Sequence, residues 1–221
     1  MAHVILIRRN MIDNPWEDIY RRDEHVFTEV SPIAAPFAEL LDEHGCQEIL
    51  DLGCGNGRFL VHFARRGVHV TGLDSAPTAL KLACEWLASE SLSGNLVQAD
   101  TRVRLPFADN AFDALLSTQV IHHARLELVL GTIGEILRVV KPGGLVFVSV
   151  PVFLPKGDEE SAESDEVEYH TFVPRSGPEA GLPHHLFTLE EFGAAFVGFD
   201  ALSLNSYGEK VLAFTGRKRA T

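Results

Sequence analysis

The sequence predicts an α/β fold built around a mostly parallel sheet, on three observations. From position 47 onward, short β-branched and apolar runs alternate with helix-length amphipathic patterns, the mark of successive βαβ units. The first of these runs breaks off into three glycines, Gly53, Gly55 and Gly57. The next two runs each close on an aspartate, Asp74 and Asp100.

Taken in order, "SPIAAPFAELLDEHG" reads as a helix entered through Pro36 and stopped at Gly45. Strands are expected over 47–52, 68–73, 95–99, 112–117 and 144–150. The helices between them show one apolar face each. Leu80, Ala83, Cys84 and Leu87 form the second, and Val129, Ile133, Ile136, Leu137 and Val140 the fourth, at i, i+3/i+4, i+7 spacing. "KPGG" at 141–144 is expected to stop that fourth helix. A buried strand, "LVFVSV", then follows.

The last third changes character. Residues 156–169, "KGDEESAESDEVEY", hold seven carboxylates and one lysine, a composition too poor in apolar surface to order itself strongly, and a mobile insertion is expected. Residues 158–168 fit a lid and a solvated surface loop equally. Thr188 and Glu191 then have the spacing of a capping box that opens a short helix. Strands at 201–207 and 210–216 complete the chain as a hairpin through "GE". The resulting division is a cap and helix (1–45), a core (46–151), an insertion or lid (152–186) and a terminal helix with hairpin (187–221) of one domain.

Composition narrows the function. With 221 residues, 46% hydrophobic and 23% charged, one large domain fits better than two. No apolar run approaches the roughly 18 residues of a membrane-spanning helix, and "MAHVILIRRN" has neither the length of a signal peptide nor that of an anchor. Three cysteines, Cys46, Cys54 and Cys84, lack both a disulfide framework and paired metal-ligand spacing, so a reducing cytoplasm and no zinc are expected. A net charge of −12 repels a phosphate backbone, which disfavours a nucleic-acid substrate.

The glycines in "ILDLGCGNGRFL" follow a strand and open a helix, where bare backbone lets a ligand approach closely and helix N–H groups point outward. The dinucleotide fingerprint G-x-G-x-x-G is not matched, because the third glycine comes one residue early and Arg58 fills its slot; NAD is thereby disfavoured. Asp74 falls 21 residues past Gly53, where a carboxylate can accept from two ribose hydroxyls. Asp100, ending "NLVQAD", is placed to accept from an adenine amino group.

From Trp16 onward the chain resembles the class I S-adenosylmethionine-dependent methyltransferases, in the group that includes ubiquinone-biosynthesis-type enzymes. "LDLGCGNGRF" resembles that family's motif I, "VTGLDSA" its ribose-binding strand end, "LVQADTRVRLPFADNAFDALLS" its adenine segment, and "TQVIHHA...EILRVVKPGGLVFVSVP" its later motifs. The resemblance implies a Rossmann-like, doubly wound sheet of seven strands with the last antiparallel, and S-adenosylmethionine as cofactor. It implies that Asp51 and the backbone of Gly53, Cys54 and Gly55 hold the methionine moiety. Asp74 with Ser75 would take the ribose, Asp100 with Thr101 the adenine, and Thr118 or Gln119 would offer a carbonyl to the ammonium. A cofactor without phosphate suits a turn that keeps an aspartate beside a sulfonium and an ammonium.

Among ten histidines, His123 is the first candidate for a general base and His170 the second, since a ring titrating near neutrality can take an acceptor's proton. His122 reads as a packing residue. His184, His185, Trp16 and Tyr20 are expected near the acceptor. Adjacent histidines rarely chelate one ion on regular structure, so no metal is expected. The expected acceptor is a small molecule; a tRNA wobble-uridine enzyme shares the "VIHH" style of motif and is the alternative.

Overall fold

The computed structural model describes residues 3–6, 14–22, 27–153, 163–208 and 210–220. The chain runs β1 (His3–Leu6), α1 (Pro15–Arg22), α2 (Ala35–Glu43), β2 (Glu48–Leu52), α3 (Arg58–Ala64), β3 (His69–Asp74), α4 (Pro77–Ser89), β4 (Asn95–Gln98), β5 (Phe112–Thr118), α5 (Leu126–Val139) and β6 (Val140–Pro151). There follow β7 (Ser164–Glu168), β8 (Thr171–Pro174), β9 (His184–His185), α6 (Leu189–Ala195), β10 (Phe199–Tyr207) and β11 (Val211–Lys218).

The main sheet has the order β1-β4-β3-β2-β5-β6-β11-β10. All pairs from β1 to β6 are parallel, while β11 runs antiparallel to both neighbours. The seven expected strands are present with the final one antiparallel. The eighth, β1, adds to the β4 edge from a segment read in the sequence only as a short apolar patch.

Alternation along the strands fills both faces of the sheet. Leu50, Leu52, Val146, Val148 and Val150 pack toward α5 and α6 with Ile133, Ile136 and Phe192. Ile49, Leu116, Leu145 and Phe147 pack toward α2, α3 and α4 with Phe37, Leu41, Phe63 and Leu80. Helices on both faces of a parallel sheet leave the crevice at the carboxyl ends of the strands as the ligand-binding edge.

Two expectations change. "KPGG" does more than stop a helix: α5 ends directly before it, at Val139, and Lys141 to Gly144 already belong to β6. The pairing of β5 with β6 slips there, Gly143 adopts φ +78°, and a Cβ on Gly144 would lie 2.7 Å from the Asp113 carbonyl oxygen. The glycines form a β-bulge, anchored by Lys141 Nζ on Asp113 at 2.6 Å. The acidic insertion is the second change. Residues 154–162 lie outside the described residues, but Ser164–Glu168 is a regular strand, and β7, β8 and β9 form a small antiparallel sheet. Its carboxylates are tied off rather than left to repel. Glu168 accepts from the Leu126 amide at 2.7 Å and Thr171 Oγ1 at 3.0 Å, Glu166 from the His170 amide at 3.1 Å, and Asp165 pairs with Arg175.

Entry to and exit from this excursion are stitched together. Val152 bridges Phe187, and the Phe153 amide donates to the Phe187 carbonyl at 2.8 Å. The expected capping box is present at the start of α6, where Thr188 and Glu191 satisfy each other's backbone amides. At the other end of the crevice Glu17 of α1 accepts from the Thr78 amide (2.9 Å) and hydroxyl (2.7 Å), which docks α1 on α4.

Candidate active site

The strand β2 ends in a turn held from outside. The amides of Gly53 and Cys54 both donate to the Leu73 carbonyl, at 2.7 and 3.0 Å, and the Gly55 amide donates to Asp74 Oδ2 at 2.8 Å. Gly53 and Gly55 adopt φ +76° and +55°, conformations that L side chains rarely take. A Cβ on Gly53 would overlap Val120, and one on Gly55 would overlap the Tyr20 hydroxyl. The turn therefore floors a cavity of about 280 Å³, near the lower end of the range of small-ligand sites, roughly 300–1,000 Å³. Gly53, Cys54, Gly55, Asp74, Ser75, Asp100, Thr101, Thr118, Gln119 and His123 all line it.

Asp51 is the exception among the expected cofactor residues: it lies behind the turn and not on the cavity wall. It is 1% exposed, and its Oδ2 has no hydrogen-bond partner among the described residues. Burial pushes its carboxyl up to about 7, against the lowering field of Arg58 and with help from Asp74. A buried acid left without a donor fits a site whose cation arrives with the ligand. Gln119, at φ +58° and with a buried Nε2 that has no partner among the described residues, is a second such group. Both observations, with the cradle that a Cβ would fill, fit S-adenosylmethionine.

A pH dependence follows. The folded Asp51 carboxyl holds its proton more tightly than the unfolded one, whose usual value is 3.8, so it contributes a loss of stability as pH rises from there toward about 7. A cationic ligand favours the ionised form. Affinity for S-adenosylhomocysteine, measured by calorimetry, is expected to fall with pH below about 7, by at most about tenfold per unit. Asp51→Asn removes that slope; the same slope in the variant refutes the assignment.

Other side chains sit differently from expectation. Both Asp74 oxygens already hold backbone amides, Gly55 and, at 2.9 Å, Ala76. Arg102 grips both oxygens of Asp100, through Nη2 at 2.7 Å and Nε at 2.9 Å. Ser75 Oγ lies 3.4 Å from Asn14 Oδ1. Arg58, noted in the sequence only as the occupant of a glycine slot, donates to Thr118 Oγ1 at 3.1 Å and lies over the rings of Phe27 and Phe59. It joins the start of α3 to the end of β5. Asn14, Phe27, Val120 and Leu182 also line the cavity and carried no sequence signal.

Trp16 and Tyr20 of α1 line the cavity from the cap side. Trp16 meets the His123 ring edge-on, with centroids 4.7 Å apart. His123 Nδ1 lies 2.9 Å from the Val120 carbonyl, which can only accept, so Nδ1 carries the proton and Nε2 keeps a free lone pair. Burial, reinforced by His184, lowers His123 to about 3, a poor match for collecting a proton near neutrality. His170 is not among the cavity-lining residues: it stacks between Tyr169 and Phe153 and places Nδ1 3.2 Å from Glu191. The turn of the β7–β8 hairpin, where His170 takes φ +56°, sends it to that packing role.

Residues 50–148 match a family model described as a methyltransferase domain. An uncharacterized methyltransferase of Mycobacterium leprae is 35% identical over 150 residues, 66% of this chain and 47% of that protein. One from Mycobacterium avium is 32% identical over 163 residues, 70% of this chain and 55% of that protein. The chain thus spans about half the length of these curated relatives. In fold it is similar to an S-adenosylmethionine-dependent methyltransferase of Methanosarcina mazei (TM-score 0.69, 23% identity, 87% of this chain and 100% of that one). A Pyrococcus horikoshii protein is similar to the same degree (TM-score 0.69, 19% identity, 91% and 99%). The chain is thus similar to methyltransferases in sequence over residues 50–148, and its Rossmann-like sheet, with a glycine turn and acids in register, has the fold of an S-adenosylmethionine-dependent one.

Proposed function

We propose that the protein transfers a methyl group from S-adenosylmethionine to a small-molecule acceptor. The observation that carries this reading is the cavity itself: the Gly53–Gly55 turn, Asp74 and Asp100 line one part, and Trp16, His123 and Leu182 another. When bound, the cofactor supplies a methyl group already activated by its sulfonium. The chain's own residues have to align the acceptor and exclude water, which together account for roughly 7–11 kcal/mol of a barrier of this kind. Trp16 and Tyr20, held by the Glu17 clamp on α4, close the cavity from above and serve that exclusion. No general base is required by this chemistry.

A small acceptor is favoured over RNA by the pairing of the arginines at 65–66 and in the terminal "GRKRA". Arg65 is paired with Glu90, Arg66 with Asp42 and Arg219 with Asp200, which leaves little free positive charge there for phosphates. Label from methyl-tritiated cofactor, incubated with fractionated extract, is expected in low-molecular-weight material. Label confined to RNA would overturn the acceptor class, and no transfer into any fraction would count against methyl transfer.

A further inference from the structure

Beside the cavity, three side chains from separate segments converge. His123 comes from the turn after β5, Glu179 from the loop between β8 and β9, and His184 from β9. One ligand atom of each lies within 4.8 Å of the others. His184 Nε2 is 3.2 Å from Glu179 Oε2, yet it is buried and has no hydrogen-bond partner among the described residues. Donor atoms on a tetrahedral ion with bonds of about 2.0–2.1 Å stand roughly 3.3 Å apart, so small side-chain rotations suffice. Adjacent histidines do not compete here, because strand alternation separates them: His185 turns inward to Thr171 Oγ1 at 2.8 Å and leaves His184 to the cluster.

We propose that His123, Glu179 and His184 bind a divalent transition-metal ion of the zinc class, with a remaining coordination position for a heteroatom of the acceptor. The surroundings are prepared for it. His123 donates Nδ1–H to the Val120 carbonyl, the outer hydrogen bond that orients a ligating imidazole and leaves Nε2 for the metal. The His185 amide donates to the His122 carbonyl at 2.8 Å, which fixes β9 against the turn that carries His123. Two imidazoles and one carboxylate, with a position left over, are the donor set of a zinc centre that handles a ligand rather than a purely structural one.

The use of the ion rests on the methyl-transfer reading; its binding does not. An acceptor hydroxyl or thiol on the ion gives its proton to solvent. Its freed electron pair forms the bond to the methyl carbon as the carbon–sulfur bond breaks, and that bond's electrons remain on sulfur, which becomes a neutral thioether.

The test uses untagged full-length protein, stripped with a chelator, returned to zinc and freed of excess by gel filtration before elemental analysis. One equivalent of zinc per chain is expected, and cobalt in its place should give the intense visible absorption of a four-coordinate site. His184→Ala and Glu179→Gln should each weaken zinc binding by more than about tenfold, the least that loss of even an outer-shell partner costs a metal site. Glu179 is not on the cavity wall, so Glu179→Gln should retain wild-type affinity for S-adenosylhomocysteine, which also reports an intact fold. Stripped wild type that takes up no stoichiometric zinc, or variants that bind it as tightly as wild type, overturn the site. Failure of the wild type to bind S-adenosylhomocysteine would instead strike the methyltransferase reading and leave the metal result standing.

Discussion

Gly55→Val is expected to abolish binding of S-adenosylmethionine and its product, by at least about a hundredfold, with the fold retained. Two causes act together. Residue 55 sits at φ +55°, where a β-branched side chain strains the backbone by about 1–3 kcal/mol. Its Cβ would also occupy the position of the Tyr20 hydroxyl, so α1 would have to leave its place over the cavity. Calorimetry with S-adenosylhomocysteine measures the loss, and far-ultraviolet dichroism reports the fold. Gly55→Ala in a Tyr20→Phe background removes most of the collision and keeps the strain; binding in that double variant should be intermediate. Wild-type affinity in Gly55→Val would remove the turn from the site.

The second large effect is expected at Asp74, for a reason that its position in the sequence did not reveal. Its oxygens hold the amides of Gly55 and Ala76, buried hydrogen bonds to a charged group worth about 1.5–3 kcal/mol each. Asp74→Ala should therefore lower thermal stability as well as weaken cofactor binding ten- to a hundredfold, about 1.4–2.8 kcal/mol. The ribose contact is separable from this positioning role. If wild type binds a 2′-deoxy cofactor analogue as tightly as the normal one, the loss in Asp74→Ala comes from the turn alone. A selective loss toward the deoxy analogue assigns Asp74 to the ribose as well.

Local chemistry explains what the sequence made legible. The strands at 47–52 and 112–117, the amphipathic faces of α4 and α5, and the Thr188–Glu191 capping box are each dictated by neighbours within one or two turns of chain, and each formed where expected. "KPGG" was half legible: α5 stops before it as expected, but the β-bulge demands the same residues and only the pairing partner at Asp113 reveals it. The acidic run misled because its composition says nothing of Arg125, Arg175 and the Leu126 amide, which answer its charges from elsewhere in the chain. The cavity-lining residues Gly53, Asp74 and Asp100 were readable because they sit at or just beyond strand ends fixed by the parallel sheet. The acceptor side was not, since His123, Glu179 and His184 meet only through tertiary structure, and His170 is turned away by a hairpin whose register no periodicity encodes.

The stitch between Val152 and Phe187 gives the molecule a modular seam. The described residues between those two, including Glu179, Leu182 and His184, leave and rejoin the sheet through one narrow neck, while the glycine turn, Asp74 and Asp100 lie at the sheet's own strand ends. Selection can rewrite the segment inside that neck without disturbing a single strand of the main sheet. A protein engineer can do the same, exchanging the excursion at Val152 and Phe187 while the sheet stays as it is.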